Sequence, residues 1–435
     1  MNKIRLSEVA TVDLSSIDKK IEASEIPVKL CNFTDVYYNW SITKNVVDAC
    51  MDGSVNDTEY SKFSLKKGQV AITKDSETRD DIGMSTYISE DFDNAVLAYH
   101  CALITPKQGK VNGKYLNALF NDSYGRRYFA NQASGSGQRY TLSKEAIESI
   151  EIPLPSIEKQ NAIGSFFSNI DKKIELNNRI NDNLSHLIND LYYYWFVQFN
   201  YPTTEGKPYQ SSGGKMVWNE KLNISIPEGW IVAPLKGLYS IKRGISYASD
   251  DIAIDNETNE KKVPMINLAC IDRNRNYRDG ELKYLNSNIP DSMILNPEDL
   301  LIACTDLTRE REIIGCPILV PYDGVKYTYS MDIAKIAFCN TELNDLYMYM
   351  ALRTDFYHNY IKKWASGTNV LHLNLEGLDW YTMAIPPISL QNKFAEYVRN
   401  IHRMQGTILS ENRNLSALRD FCLPMLLNGQ IAISK

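Results

Sequence analysis

Residues 163–191 read IGSFFSNIDKKIELNNRINDNLSHLINDL, and this stretch decides the fold. Taken at alternating steps of three and four, it gives Ile163, Phe166, Ile170, Lys173, Asn177, Ile180, Leu184, Leu187 and Leu191, with seven of the nine apolar. Such a 3.5-residue period marks a helix whose seam faces another helix. The other helix lies in the same chain. Shifted by 231 residues, the positions read Phe394, Tyr397, Ile401, Met404, Ile408, Glu411, Leu415, Leu418 and Cys422, with eight of nine apolar.

The shared register belongs to a longer repeat, the feature to find before any other. Ile82-Gly83 returns as Ile314-Gly315 and Ala133-Ser134-Gly135 as Ala365-Ser366-Gly367, both 232 residues on. Gln160-Asn161 returns as Gln391-Asn392 and Asn169-Ile170 as Asn400-Ile401, both 231 on. Asn181, Asn183, Leu184, Ser185 and Leu187 return as Asn412, Asn414, Leu415, Ser416 and Leu418. A nearly constant offset over more than 100 residues is a tandem duplication.

Pro153 and Pro155 precede the first helix, Ser156 can cap it and Glu158 sits in its first turn. The helix is expected from about 157 to 195, roughly 58 Å long. Pro386, Pro387 and Ser389 open the second, which Pro424 and Asn428-Gly429 close. With only two comparable seams in one chain, the helices should pair antiparallel and hold two globular domains apart. Asn177, Lys173 and Glu411 in the seams would fix its register at some cost in stability. The expected layout is 1–155, a globular domain; 156–199, a long helix; 200–226, a Pro- and Gly-rich linker; 227–385, a second globular domain; and 386–428, a second long helix. The class is α+β (mixed α/β). Gln69–Thr73, Val96–Thr105, Leu300–Cys304 and Ile333–Phe338 read as strands, and Tyr115–Phe120 and Asp345–Leu352 as helices.

At 435 residues the chain exceeds one ordinary core. Hydrophobic residues make up 44% and charged residues 23%, as in a globular protein. No apolar run of membrane-spanning length and no signal core occurs, so the expectation is a cytoplasmic protein without membrane contact. Eight cysteines without a C-x-x-C pair read as reduced thiols, and the five histidines lack metal-ligand spacing. The net charge of −6 and pI near 5.6 count against wrapping nucleic acid unaided, though not against reading bases beside a partner that clamps the phosphates.

The catalytic motifs sought are missing: no P-loop, no G-x-G-x-x-G after a strand, no Asp/Asn-Pro-Pro-Tyr/Phe, no G-x-S-x-G and no H-E-x-x-H. The nearest nuclease-like cluster is Glu281-Leu282-Lys283, with Asp272 and Asp279 upstream, and E-x-K recurs at Glu260-Lys261-Lys262. No catalytic residue or metal ligand is therefore assigned. A stand-alone nuclease on Glu281 and Lys283, and a scaffold that never touches DNA, are the rival readings.

Recognition remains. Basic, polar and aromatic side chains interleave around Thr73, Lys74 and Arg79, at Arg126-Arg127, along Arg273-Asn-Arg275-Asn-Tyr277-Arg278, and from Thr305 to Arg309 and Arg311. The loop carrying Gly135, Gln138, Arg139 and Tyr140 has its counterpart at Thr368 and Asn369. Arg, Gln and Asn make bidentate contacts with purine edges, so these are the candidate DNA-binding residues. For each of them taken singly, a solvated surface charge or a turn is the bland alternative.

Ile152-Pro-Leu-Pro-Ser-Ile-Glu-Lys-Gln160, Asp171-Lys-Lys-Ile-Glu-Leu-Asn177 and Leu191-Tyr-Tyr-Tyr-Trp195-Phe-Val-Gln-Phe199 resemble the central conserved region of type I restriction–modification specificity subunits, the HsdS family. Ile385-Pro-Pro-Ile-Ser-Leu-Gln391 and Leu426-Leu-Asn-Gly429 resemble their second conserved region. Lys67-Gly-Gln-Val-Ala-Ile-Thr73 and Pro297-Glu-Asp-Leu-Leu-Ile302 resemble the strand signature of their target-recognition domains. The chain departs from the family at Arg403-Met-Gln-Gly406, and its first domain lacks the lead-in that Pro227-Glu-Gly-Trp230 gives the second. The resemblance implies a non-catalytic subunit that reads double-stranded DNA, one half-site per domain. It implies two modification subunits and translocating nuclease subunits as partners, with S-adenosylmethionine, ATP and Mg on those partners and no cofactor in this chain. Ile163, Phe166, Ile170, Ile180, Leu184, Leu187, Trp195, Phe394, Ile401, Leu415 and Leu418 are the expected seam, and with Phe196 also a surface for partner subunits.

Overall fold

The computed structural model describes residues 3–135, 137, 139–252, 262–272, 274–279, 282–285, 289–339 and 341–433. The chain divides into two units, one built from the residues up to Leu176 with those from Arg413 on, the other from Asn177–Asn412. The boundary falls inside the two long helices, Ile157–Tyr192 and Ile388–Leu427. Each half-helix thus belongs to the core of one unit, where sequence reading made each helix a separate segment.

In the first unit a five-stranded sheet runs in the order 10–14, 101–106, 70–73, 85–88, 41–42. Val70–Thr73 is buried at every residue, which is why it reads as one apolar run rather than an alternation. A second sheet joins Met51–Val55, Ile26–Cys31 and Ala95–Leu97, a small one joins Ser134–Gly135, Tyr140–Thr141 and Asp75–Ser76, and Lys3–Arg5 pairs with Glu151–Pro153.

The second unit repeats this plan. Its main sheet runs 239–243, 333–338, 300–303, 317–319, and its second joins 283–285, 263–266 and 328–329. The small sheet joins Thr305–Asp306, Leu371–Leu373 and Ala365–Ser366, and Ile231–Pro234 pairs with Thr382–Ile385. The expected strands and helices of both copies are present, except that Val96–Thr105 breaks into 95–97 and 101–106.

The repeated residues are structural. Gln160 Oε1 accepts the Asn112 N–H (2.9 Å) and Asn161 Oδ1 accepts from the Asn112 side chain (2.7 Å), while Asn112 caps the helix Gly113–Asn121. In the second unit Gln391 and Asn392 make the same two bonds to Asn344 (3.0 and 2.9 Å), which caps Asp345–Ala351. Gly83 and Gly315 both have positive φ (81° and 70°), and an added Cβ would strike Phe129 or Ile361.

Within each unit the long helices run antiparallel. In the second unit the Asn177 side chain donates to Glu411 and Asn412 (both 2.8 Å), Gln405 donates to Ser185 Oγ (2.9 Å), and Trp195 lies 5.7 Å from both Phe394 and Tyr397. Asn177 and Glu411 therefore set register as expected, whereas Lys173 is exposed. In the first unit Ile163 and Phe167 share a core with Cys422, Leu423, Leu426 and Leu427.

The seam corrects four of the eleven expected residues. Ile163, Ile170, Trp195 and Phe394 are buried, and Leu184, Ile401 and Leu415 partly so. Ile180 (38% exposed), Leu187 (58%) and Leu418 (44%) instead face outward, and Phe166 is only half-buried beside Phe167. The positions that turn inward are Phe167, Ile174, Asn181 and Ile188, then Val398, Gln405, Asn412 and Arg419, each one residue later than expected. Trp195 and Phe196 pack against Phe394 inside the second unit's core, so they are no partner surface. The stretch 200–226 is no linker either: Tyr201 stacks on Tyr209 (4.7 Å) and Trp230 (5.9 Å), and Met216–Asn219 pairs with Ile224–Pro227.

Burial on the first helix pushes the Asp171 carboxyl up to about 6, against a 2.6 Å bond donated by Ser41 and the attraction of Arg419. A carboxyl raised by folding destabilises the fold only where it is ionised, so the penalty is absent below about pH 4 and complete above about pH 6. Asp171→Asn keeps an acceptor for Ser41 and is expected to stabilise the protein by about 1–2 kcal/mol at pH 7.5 and by less than half of that at pH 4.5, after allowance for partial exposure. Thermal melts at the two pH values check this, and an equal shift at both would contradict it.

Candidate nucleic-acid interface

The small three-stranded sheet of the first unit frames a cleft of about 470 Å³, lined by Asp75, Tyr99, His100, Ser134, Gly135, Arg139 and Thr141. Two residues of this cleft, Gly135 and Arg139, are among the expected DNA-binding residues. Gly135 has φ 154°, and a Cβ there would stand 2.0 Å from the Arg139 carbonyl, so only glycine allows this close hairpin. Arg139 is exposed at its rim.

The floor of the cleft is charged but compensated. Asp75 accepts from Lys74 Nζ and pairs with His100 Nδ1, both at 2.8 Å. Burial alone would push the Asp75 carboxyl up, but the bonds from Lys74, His100 and Thr141 together outweigh it and hold it below its ordinary value. The Arg79 guanidinium lies 5.8 Å from the Tyr140 ring centroid and donates to the Ala133 carbonyl (3.4 Å), bracing the base of the hairpin. Thr73 is buried, its hydroxyl accepting the Met84 N–H (3.0 Å), so its side chain is structural. Arg126 donates to the Asp80 carbonyl (3.1 Å), while Arg127 is exposed.

In the second unit, Arg309, Thr368 and Asn369 are exposed. Thr305 is buried, and its hydroxyl has no hydrogen-bond partner among the described residues. Its neighbour Asp306 accepts from the backbone N–H groups of Thr308, Ile313 and Ile314 (2.7, 2.7 and 3.0 Å) and so shapes the segment bearing Arg309. Arg275, with φ 64°, donates to Asp355, and its carbonyl accepts from Arg353 (2.6 Å). The Arg275 bond holds the Asp355 carboxyl below its usual range. Arg278 Nε donates to the Ala269 carbonyl (2.8 Å) and remains exposed. Both arginines hold their turn in shape; Arg278 also faces solvent, whereas the Arg275 side chain is only 20% exposed.

Gln138, Arg273 and Glu281 lie outside the described residues. Of the nuclease-like cluster, Asp272 accepts the Asn276 N–H (2.8 Å) and Lys283 donates to the Tyr247 hydroxyl (3.1 Å). No group of three potential metal ligands occurs among the described residues. Sequence reasoning missed Asp75, Tyr99, His100 and Thr141, because strand pairing rather than chain spacing gathers them.

A family model described as the type I restriction modification DNA specificity domain matches residues 1–186 and 227–415. The chain is similar to the type I restriction enzyme HindI specificity subunit of Haemophilus influenzae, 24% identical over 425 residues that cover 88% of this chain and 91% of that protein. It is similar also to the MjaIX specificity subunit of Methanocaldococcus jannaschii, 23% identical over 338 residues covering 76% and 72%. Among solved structures, the type I restriction–modification S subunit of M. genitalium shares the fold, with a TM-score of 0.56, 13% identity, and coverage of 98% and 95%.

Proposed function

Because the chain belongs to the type I restriction–modification DNA specificity family, we propose that each of its two units reads one half of a bipartite, asymmetric DNA site. The chain is the sequence-recognition subunit of a type I complex, with DNA and the modification and restriction subunits as its partners. The observation that carries the finer reading is the repeat itself: the framework bonds of Asn112 and Asn344 are the same, while the side chains around the two small sheets differ. One scaffold with two surfaces reads two different half-sites, mainly in the major groove, across an unread gap on the order of one helical turn.

Chemistry belongs to the partners on this reading: S-adenosylmethionine, ATP and Mg reside there, and the complex works in the cytoplasm. Among the described residues no helix is long and apolar enough to cross a membrane. The modification subunits, two of them, supply the phosphate clamp that a chain of net charge −6 lacks. Their docking surface includes the outward stripe of Ile180 and Leu187 on the first helix and Tyr194 and Val197 in the turn that continues it, with Tyr397 and Met404 on the second.

Methylation-sensitive sequencing of DNA from cells expressing the chain with its modification subunit tests this. Two short, different specified blocks separated by unspecified bases are expected. A single contiguous block, or two identical halves, would overturn the two-reader reading.

A further inference from the structure

Strand register matches the two units residue by residue where the sequence no longer does. In the first unit Ser134 pairs with Thr141 and Thr141 with Asp75; in the second Ser366 pairs with His372 and His372 with Thr305. The Lys74 N–H donates to the His100 carbonyl (2.9 Å) as the Cys304 N–H does to the Asp332 carbonyl (2.8 Å). A Cβ on Gly135 would meet the Arg139 carbonyl at 2.0 Å, and one on Gly367 the Val370 carbonyl at 2.1 Å. Asp75 thus corresponds to Thr305, His100 to Asp332, Thr141 to His372 and Arg139 to Val370.

The hairpin frame is held constant by Ser134 and Ser366 and by two glycines of positive φ, 154° and 134°. The side chains it carries change class at each of the four positions. Two of those positions sit at or near the floor: Asp75 accepts from Lys74 and is hydrogen-bonded to His100, and Thr305 is buried. The other two are presented outward in both units: Thr141 and His372 are exposed on the strands, and in the hairpin loop Arg139 is exposed and Val370 is 41% exposed. An Arg and a Val at one place in two copies of one frame offer opposite chemistry to a base edge. The guanidinium fork matches the paired acceptors of guanine, whereas an exposed β-branched methyl pair gains by covering the thymine methyl.

We propose that Arg139 and Val370 are the equivalent specificity-determining residues of the two readers, Arg139 selecting a guanine in one half-site and Val370 a thymine in the other. The proposal rests on the reading of this chain as a two-domain DNA reader. The compensated carboxylate beneath Arg139 leaves the guanidinium free to approach a base instead of folding back onto Asp75.

The test uses the full chain assembled with its modification subunits, and duplexes in which each specified base pair of the wild-type motif is varied in turn. Arg139→Ala is expected to reduce discrimination at one guanine from roughly ten- to hundred-fold to about onefold, leaving every other position selective. Val370→Ala is expected to cost a few-fold at one thymine in the other half. Arg139→Lys keeps the charge and loses the rigid fork, so it should retain the salt dependence and weaken the discrimination at that guanine; it also serves if the alanine variant fails to assemble. Equal weakening on all duplexes with a shallower salt dependence would make Arg139 a phosphate contact and overturn the proposal, as would an unchanged base profile. A wild-type complex with no bipartite selectivity would sink the two-reader reading, and this proposal with it.

Discussion

Exchanging residues 1–155 for the corresponding segment of another family member is expected to replace one half of the methylated motif completely and leave the other half unchanged. The expectation rests on how the segment is attached. Residues 1–155 carry all the sheets of the first unit, while the helix from Ile157 stays behind. The joint is local: Gln160 and Asn161 bond Asn112, Ser41 bonds Asp171, and Trp40 packs 5.9 Å from Phe167. A donor segment with Asn at the Asn112 position preserves the helix cap and both bonds to the long helix. The second unit has its own copy of that joint at Asn344, Gln391 and Asn392, so the exchange leaves it untouched. The methylated motif before and after exchange is the measurement. Change in both halves, or in neither from an assembled complex, would contradict independent readers.

The second large effect concerns the helix seam. Phe167→Ala is expected to destabilise the first unit by about 3–5 kcal/mol, the cost of emptying a fully buried aromatic site. Phe167 is 0% exposed and packs against Trp40 and Phe166, in one core with Leu423 and Leu426. Leu187→Ala, by contrast, should change stability by no more than about 0.5 kcal/mol, because that side chain is 58% exposed. Chemical denaturation of the two variants separates the registers, since the seam read from the sequence predicts a large loss for Leu187 instead. Leu187→Ala should weaken association with the modification subunit, which co-purification measures. A stable variant that binds its partner normally would remove Leu187 from the docking stripe.

The two registers show where sequence reading reaches its limit. Counting apolar residues at 163, 167, 170, 174, 177, 181, 184, 188 and 191 gives seven of nine, the same score as the register first chosen. On the second helix the count favours the wrong register, because Tyr397, Met404 and Leu418 are apolar while Gln405, Asn412 and Arg419 are not. Those polar residues are inward because each has a partner there. Gln405 meets Ser185, Asn412 meets Asn177 and Asn178, and Arg419 stacks 5.1 Å from the Trp40 ring centroid. A pattern count treats every polar residue as outward and every apolar one as inward. It therefore misjudges a seam with polar layers flanked by an apolar stripe left for a partner.

Sequence by itself determined the duplication, the existence and antiparallel pairing of the long helices, the α+β class and the principal strands. It did so because apolar periodicity and a constant offset survive in the linear chain however the loops diverge. Only the tertiary structure decided which side of each helix is buried, and that 200–226 packs as part of the second unit. It alone gathered Asp75, His100 and Arg139 at one cleft. Strand pairing brings these together across 25 and 64 residues of chain (75 to 100, and 75 to 139), and no local spacing records a partner chosen by register.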